Sequence, residues 1–146
     1  MRVVVQRVSS AHVKVNNEIV GKIGNGLLLL IGIAENDTPE DIDFVADKCV
    51  NLRIFEDNSG KMNRSLLETG GEILAVSQFT LLGDTKKGRR PSFIAAAGPE
   101  KGNDYYKRFI NKVEEYGVRT ETGVFGAMMD VELINYGPVT LIVESK

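Results

Sequence analysis

Residues 27–33 read Leu-Leu-Leu-Leu-Ile-Gly-Ile, an apolar run that follows the turn signals Gly24 and Gly26 and ends before the polar stretch from Glu35. It is far shorter than the roughly 20 residues that a membrane-crossing helix needs. A strand with one face in water alternates apolar and polar residues, and this one does not. The run therefore predicts a strand buried on both faces, which requires a fold that covers its sheet on two sides. Other strands are available to flank it. Val3, Val5 and Val8 lie in a β-rich segment, and Val13 and Val15 alternate with His12 and Lys14. Asn16-Asn17 marks a hairpin into residues 18–23.

Cover for the sheet comes from two predicted helices. Thr38 is placed to cap the first, with Pro39 at its first position and Glu40 and Asp41 at the positive end of its dipole. Its apolar stripe is Ile42, Val45, Ala46, Cys49 and Leu52, which makes Cys49 a buried core residue. The second helix spans residues 99–116, with Tyr106, Phe109, Ile110 and Val113 on one side. Between them lie a turn at Asp57-Asn58-Ser59-Gly60 and a strand over 72–82. Strands over 127–135 and 139–144 close the chain, joined by Asn135-Tyr136-Gly137-Pro138, which has turn chemistry. A chain of 146 residues suits one domain. The pattern predicts a single α+β domain over 1–146: a curved, largely antiparallel sheet or barrel with two packed helices.

The residue inventory narrows the chemistry. There is one histidine and one cysteine. His12 points away from the apolar face of its strand, toward solvent, and nothing orients it as the imidazole of a catalytic triad. One His and one Cys fall short of a zinc site, so no metal is expected. Glu35, Asp37, Glu40 and Asp41 read as turn and helix-start residues. No strand leads into a nucleotide-binding glycine loop, and no cofactor is expected. The lone cysteine excludes an intrachain disulfide and suits a reducing, cytoplasmic setting; no membrane association is expected. A net charge of −2 argues against wholesale coating of nucleic acid. Lys86, Lys87, Arg89 and Arg90 nevertheless form a local cluster, either a solvated loop tip or a phosphate site.

Three segments remain: Ser77-Gln78-Phe79-Thr80-Leu81, Gly88-Arg89-Arg90-Pro91-Ser92-Phe93, and Asn135-Tyr136-Gly137-Pro138-Val139-Thr140. Taken singly, the first is the polar end of a buried strand and the third a hairpin turn. In the first, alternation puts Ser77, Phe79 and Leu81 on one face and Gln78 and Thr80 on the other. Together, and in this order, they resemble the D-aminoacyl-tRNA deacylase family. Gln6-Arg7-Val8, Gly60-Lys61-Met62-Asn63, Thr122-Gly123, Phe125 and Met129 extend the resemblance over essentially the whole chain. Tyr136 and Met128 depart from it, each standing where the best-known form of the family has an acid.

The resemblance implies hydrolysis of the ester of D-aminoacyl-tRNA, with rejection of L-aminoacyl-tRNA and some action on glycyl-tRNA. It implies tRNA as partner and a homodimer with active sites at the subunit interface. Ser77, Gln78, Phe79 and Thr80 form the implied catalytic segment. Phe125 and Met129 would pack around the terminal adenine. In the family the bond between Gly137 and Pro138 is cis, with carbonyl oxygens facing the partner's pocket to select chirality, and Arg7 braces that motif. Lys86, Arg89 and Arg90 are candidates for the acceptor-end phosphates. Thr80 lacks a base to activate it, so attack by water, with oxyanion stabilisation from N–H groups near Phe79 and Thr80 and help from the substrate's ribose hydroxyl, is the expected route. Two other readings stay open: a non-catalytic RNA-binding module and a small esterase acting through Thr80 or Ser77.

Overall fold

In the computed structural model, which describes residues 1–145, the apolar run forms β3 (Gly26–Gly32). Leu27, Leu28 and Leu29 have no exposed surface. β3 lies between β1 (Arg2–Val15), which it pairs antiparallel, and β6 (Glu72–Ser77), which it pairs parallel. β2 (Glu18–Ile23) and β8 (Asp130–Glu144) also pair antiparallel with β1, and β7 (Thr120–Thr122) pairs parallel with β6. The strand order is β2-β1-β3-β6-β7, with β8 on β1. The sheet curls until its two ends nearly meet: a Cβ on Gly21 of β2 would lie 2.5 Å from the Thr122 carbonyl oxygen of β7.

The two faces of β3 are buried by different things. Leu27, Leu29 and Ile31 join Val3, Val5, Ile73 and Ala75 beneath α1 (Pro39–Asn51) and α3 (Pro99–Glu115). Leu28 joins Val8, Ala11, Val13, Ile23, Leu74 and Val76 inside the curl. Both predicted helices form. α1 has the expected cap, with the Thr38 hydroxyl accepting from the Asp41 N–H and the Asp41 carboxylate accepting from the Thr38 N–H. Cys49 is fully buried beneath it, and burial pushes its thiol up to about 12. α3 buries Tyr106, Phe109 and Val113, and the Tyr106 hydroxyl donates to the Ala75 carbonyl at 2.7 Å. Asn16 and Asn17 turn the first hairpin with positive φ, as that turn type requires.

Several expectations need correction. A third, short helix, α2 (Leu66–Thr69), is present; four residues are too few to show a period, though Ser65 and Glu68 form its capping box. The sheet is largely antiparallel as expected, through β1 and its three partners, but it also holds the parallel pairs β3–β6 and β6–β7; β4 (Phe55–Glu56) and β5 (Met62–Arg64) form a small separate antiparallel hairpin. The link from β3 to β6 carries α1 and α2, a crossover of the kind that joins parallel strands. The strand over 72–82 ends at Ser77, and Phe79–Leu82 is a 3-10 turn, so the alternation of Ser77 to Leu81 does not apply.

The two closing strands are one, β8, and residues 135–138 do not turn it back. Gln6 pairs with Thr140 and Val8 with Asn135, so Arg7 alone faces residues 136–139, which bulge from the ladder. His12 is partly covered, its Nε2 2.9 Å from a Glu132 carboxylate oxygen. Asp37 is more than a turn residue. Its buried carboxylate accepts from the Ala34 N–H at 2.7 Å and meets the Met1 ammonium at 2.5 Å.

The tightest approach in the sheet is at Gly26, where a Cβ would lie 1.9 Å from the Glu72 carbonyl oxygen. The obstacle is backbone of the neighbouring strand and cannot swing aside. Gly26→Ala should therefore cost about 3 kcal/mol. Urea unfolding measures this, and a loss within error of zero would show that β3 and β6 separate more easily than their packing indicates.

Candidate active site

Where β3 and β6 end, the chain leaves the sheet. The Gln78 N–H donates to the Ile31 carbonyl at 2.8 Å, the last bond of the ladder, and the 3-10 turn begins. Within it the Leu81 N–H reaches the Gln78 carbonyl and the Gly83 N–H the Thr80 carbonyl, at 3.3 and 3.0 Å. The first N–H groups of such a turn, those of Phe79 and Thr80, have no acceptor inside it. Arg2 ties the far end down: one guanidinium nitrogen donates to the Leu81 carbonyl at 2.7 Å while its Nε pairs with Glu144.

A cavity of about 630 Å³ opens beside this turn. Ser77, Gln78 and Phe79 form one wall, Ala97, Gly98, Pro99 and Gly102 at the start of α3 another, and Phe125, Ala127, Met129 and Val131 a third. The volume suits a ligand of nucleoside size. No residue lining it is ionisable. Among the described residues no group of three His, Cys, Asp or Glu side chains is placed to hold a metal ion. Phe125 is held against the Tyr106 ring, centroids 6.0 Å apart. Thr80 is exposed just outside the lining, and its hydroxyl accepts from the Gln78 side-chain amide at 2.5 Å. An amide is neither acid nor base here, so this bond orients the Thr80 hydroxyl without activating it.

Lys86, Lys87, Arg89 and Arg90 are exposed on the loop that follows the turn. Asp84 and Ser92 close that loop with two backbone bonds, of 2.8 and 2.9 Å. Phe93, just beyond, lines the cavity and meets Phe79 edge to face at 5.2 Å. The loop is thus anchored at the cavity mouth.

Gly137 and Pro138 lie elsewhere on this chain, exposed on the β8 bulge, with a cis bond between them, and do not line the cavity. Arg7 is with them and also outside the cavity. It is 5 % exposed; its Nε donates to the Tyr136 carbonyl at 3.0 Å and another nitrogen to the Ile54 carbonyl at 2.9 Å. Its guanidinium sits 4.9 Å from the centre of the Tyr136 ring. Asn135 closes the bulge, accepting from the Val139 N–H and donating to the Thr140 hydroxyl. The structure therefore gathers Ser77, Gln78, Phe79, Phe125 and Met129 at one cavity, with Thr80 beside it and the basic loop at its mouth. Arg7, Gly137 and Pro138 form a separate corner. Sequence reasoning passed over the α3 start and Phe93 as wall residues. Phe93 stands in the Gly88–Phe93 segment, whereas nothing local marks Gly98 and Gly102.

A family model described as D-Tyr-tRNA(Tyr) deacylase matches residues 4–144. A protein of Desulfatibacillum aliphaticivorans named D-aminoacyl-tRNA deacylase is 62% identical over 146 residues, covering 100% of both chains. One of the same name from Brevibacillus brevis is 61% identical, over 99% of this chain and 100% of its own. A solved structure titled c-Myc DNA Unwinding Element Binding Protein superposes with a TM-score of 0.94 at 40% identity, over 100% of this chain and 99% of the other. One titled as a probable eukaryotic D-amino acid tRNA deacylase gives 0.85 at 23% identity, over 98% of each, a likeness of fold. The chain belongs to the D-Tyr-tRNA(Tyr) deacylase family.

Proposed function

We propose that this member of the D-Tyr-tRNA(Tyr) deacylase family hydrolyses the ester of D-aminoacyl-tRNA, releasing the D-amino acid and free tRNA. The observation that carries the reading from family to chemistry is a nucleoside-sized cavity without an ionisable wall, opening on the start of a 3-10 turn. The terminal adenosine occupies the apolar end near Phe125 and Met129, where stacking on an aromatic ring contributes about 1–3 kcal/mol. Lys86, Arg89 and Arg90 meet acceptor-end phosphates in a salt-sensitive manner.

The carbonyl carbon of the ester is attacked by water. Negative charge moves to the carbonyl oxygen, which the N–H groups of Phe79 and Thr80 receive; one such donor is worth roughly 2.7–4 kcal/mol in other hydrolases. The bond to the terminal ribose oxygen then breaks, and that oxygen takes up a proton. The neighbouring ribose hydroxyl, supplied by the substrate, guides the water and relays the proton. Ser77 and Gln78 shape the turn, and Thr80 positions the ester.

Chirality is read by a second copy of the chain. Along the row Leu30–Val4–Ile142, cross-strand neighbours on β3, β1 and β8, cover on the interior face of the sheet falls away, from half-buried Leu30 and Val4 to exposed Ile142. Ile142 is 64% exposed, and Ile134 and Tyr136 on the same strand are 60% and 57% exposed. β8 is a 15-residue strand that pairs with β1 alone among the described strands. Soluble proteins cover such an edge, and a two-fold related copy is the simplest cover. In that dimer Gly137 and Pro138 present carbonyl oxygens to the partner's cavity. An L side chain collides with them, whereas hydrogen at the same position does not. Glycine has nothing to reject, so glycyl-tRNA is a partial substrate. An aminoacyl-tRNA substrate and a lone cysteine support a cytoplasmic location.

Incubated with D-tyrosyl-tRNA and L-tyrosyl-tRNA in parallel, the protein should clear the D-ester at least about 100-fold faster, a preference of roughly 2.7 kcal/mol. The rate should survive thorough chelation. Equal rates would refute the reading, and tRNA binding without ester loss would make this a binding module.

Thr80→Ala should retain a measurable rate, with kcat lowered about tenfold, whereas replacing the free ribose hydroxyl by hydrogen should nearly abolish turnover. Trapping an acyl-enzyme at Thr80 would make it the nucleophile instead.

Sedimentation should give the mass of two chains, and Ile142→Arg should weaken association by about 100-fold or more through burial of an unpaired charge. Hydrolysis should fall with it. A fully active monomer would remove the partner from the site.

A further inference from the structure

We infer that Phe93 is a positioning residue which couples the four-cation loop to the 3-10 turn, so that phosphate contact on the loop sets the amides that meet the ester. The inference rests on the deacylase reading above. The loop leaves the turn at Gly83, whose N–H donates to the Thr80 carbonyl at 3.0 Å. It then closes on itself: the Asp84 and Ser92 backbones pair at 2.8 and 2.9 Å, and the Lys86 N–H donates to an Asp84 carboxylate oxygen at 2.9 Å. Its cations are therefore carried on a braced hairpin rather than on a loose coil.

The returning end brings Phe93 back onto the turn. Its ring meets Phe79 at 5.2 Å with an interplanar angle of 72°, the edge-to-face arrangement that aromatic pairs favour. It also lies against Gly83, where a Cβ would come within 2.9 Å of the Phe93 ring and 3.0 Å of the Thr80 carbonyl oxygen. Glycine there lets the ring touch the backbone that carries Thr80. On its other side Phe93 is tied to the chain just beyond β3. Its carbonyl accepts from the Ala96 N–H at 3.0 Å, and the next residue, Ala97, donates to the Ile33 carbonyl at 2.9 Å. The loop is thus attached to the turn twice, through the chain at Gly83 and through the ring of Phe93.

Phe79 is 53% exposed and Phe93 38%, so the pair stands at the cavity rim and contributes little to the core. A rim contact of two aromatic rings has an evident use as a lever. Force applied to the cations moves Ser92 and Phe93, and Phe93 bears on Phe79 and Gly83 on either side of Thr80. In enzymes, binding energy from parts of a substrate remote from the reaction can be used to raise kcat, and truncated substrates then lose kcat. Phe93 is the residue through which this chain would do so.

The test compares two substrates, D-tyrosyl-tRNA and the D-tyrosyl ester of adenosine, which lacks the acceptor-end phosphates. For the wild type kcat should be higher on the tRNA, and the ratio of the two kcat values is the readout. Phe93→Ala should reduce that ratio about tenfold while the KM for tRNA changes less than about threefold. Phe93→Tyr, which keeps the ring, should restore it. Lys86→Ala with Arg89→Ala should lower the same ratio, and combining all three changes should lower it no further than the larger single effect. Phe93→Leu serves as the second variant if the alanine form does not fold. The inference is overturned if the ratio is unchanged because both substrates slow equally, if only KM rises, or if the loop and ring effects multiply. A wild type that hydrolyses neither ester would instead refute the deacylase reading.

Discussion

β3 is buried on both faces over nearly its whole length, with only Leu30 part-exposed, and most of the architecture follows from how that is achieved. Burial of Leu27, Leu29 and Ile31 on one side calls for the α1 and α3 layer, while Leu28 on the other calls for a sheet curled over itself. Each fully buried leucine is worth roughly 1.5–3 kcal/mol relative to exposure, so both requirements are strong. The curl is possible because Gly21 lets β2 and β7 approach and Gly26 lets β3 and β6 lie in close register. Strands held this way must end somewhere, and where β3 and β6 end together the 3-10 turn starts and the cavity opens. The site is a consequence of the sheet running out at a fixed place, walled by the helix layer that the same strand required.

A second element stands on the side of β1 that pairs with β8. The β8 ladder takes up four residues, 136–139, against Arg7 alone. A bulge of that size leaves backbone carbonyls without ladder partners, and buried carbonyls need donors. Arg7 supplies them from beneath, to Tyr136 and across to Ile54, and Asn135 closes the bulge from within. A guanidinium suits this because its planar fork reaches two acceptors at once and holds both still. The exposed corner at Gly137 and Pro138 is therefore backed by a buried charge, although its own side chains touch solvent. If a partner's cavity receives this corner, it receives a rigid one.

The parts of this fold legible in the sequence were those fixed locally. Thr38, Pro39 and Asp41 announce α1 because a cap is made within four residues, and the stripe of Tyr106, Phe109 and Val113 announces α3. The end of β6 was not legible. Phe79-Thr80-Leu81-Leu82 has the composition of a strand, and it bends because β3 offers no further ladder partner beyond Ile31, which is information held in a distant part of the chain. Residues 135–138 were misread for the opposite reason: their composition suits a turn, but β1 continues to offer pairing on both sides of them, so the strand absorbs the excess as a bulge. Arg7 escaped as a buried residue because a cation in a strand reads as outward-facing, and its acceptors come from distant segments. The candidate site residues were legible only as ordered motifs, since Ser77, Phe125 and Met129 taken singly are unremarkable residues of a sheet and its loops.

A cavity without an ionisable wall constrains the chemistry that the proposed function can use. A carboxylate or imidazole base would bring its own desolvation problem into an apolar pocket, where charge is costly and pKa values drift. Backbone N–H groups carry no such penalty: they are neutral, they cannot be titrated, and a 3-10 turn aims the first of them outward without any side chain. Their usefulness depends on fixed direction, because a preorganised dipole stabilises developing charge without first having to reorient. In the proposed function, that requirement would account for the bracing around the turn. Arg2 holds the Leu81 carbonyl at one end, the ladder bond from Gln78 to Ile31 holds the other, and Phe93 packs across the middle. Selection by collision has the same character. In the proposed dimer, carbonyl oxygens on a corner backed by Arg7 would discriminate by occupying space, which asks nothing of the D side chain. Acceleration and chirality would then both be carried by backbone held in place, with side chains acting as its supports.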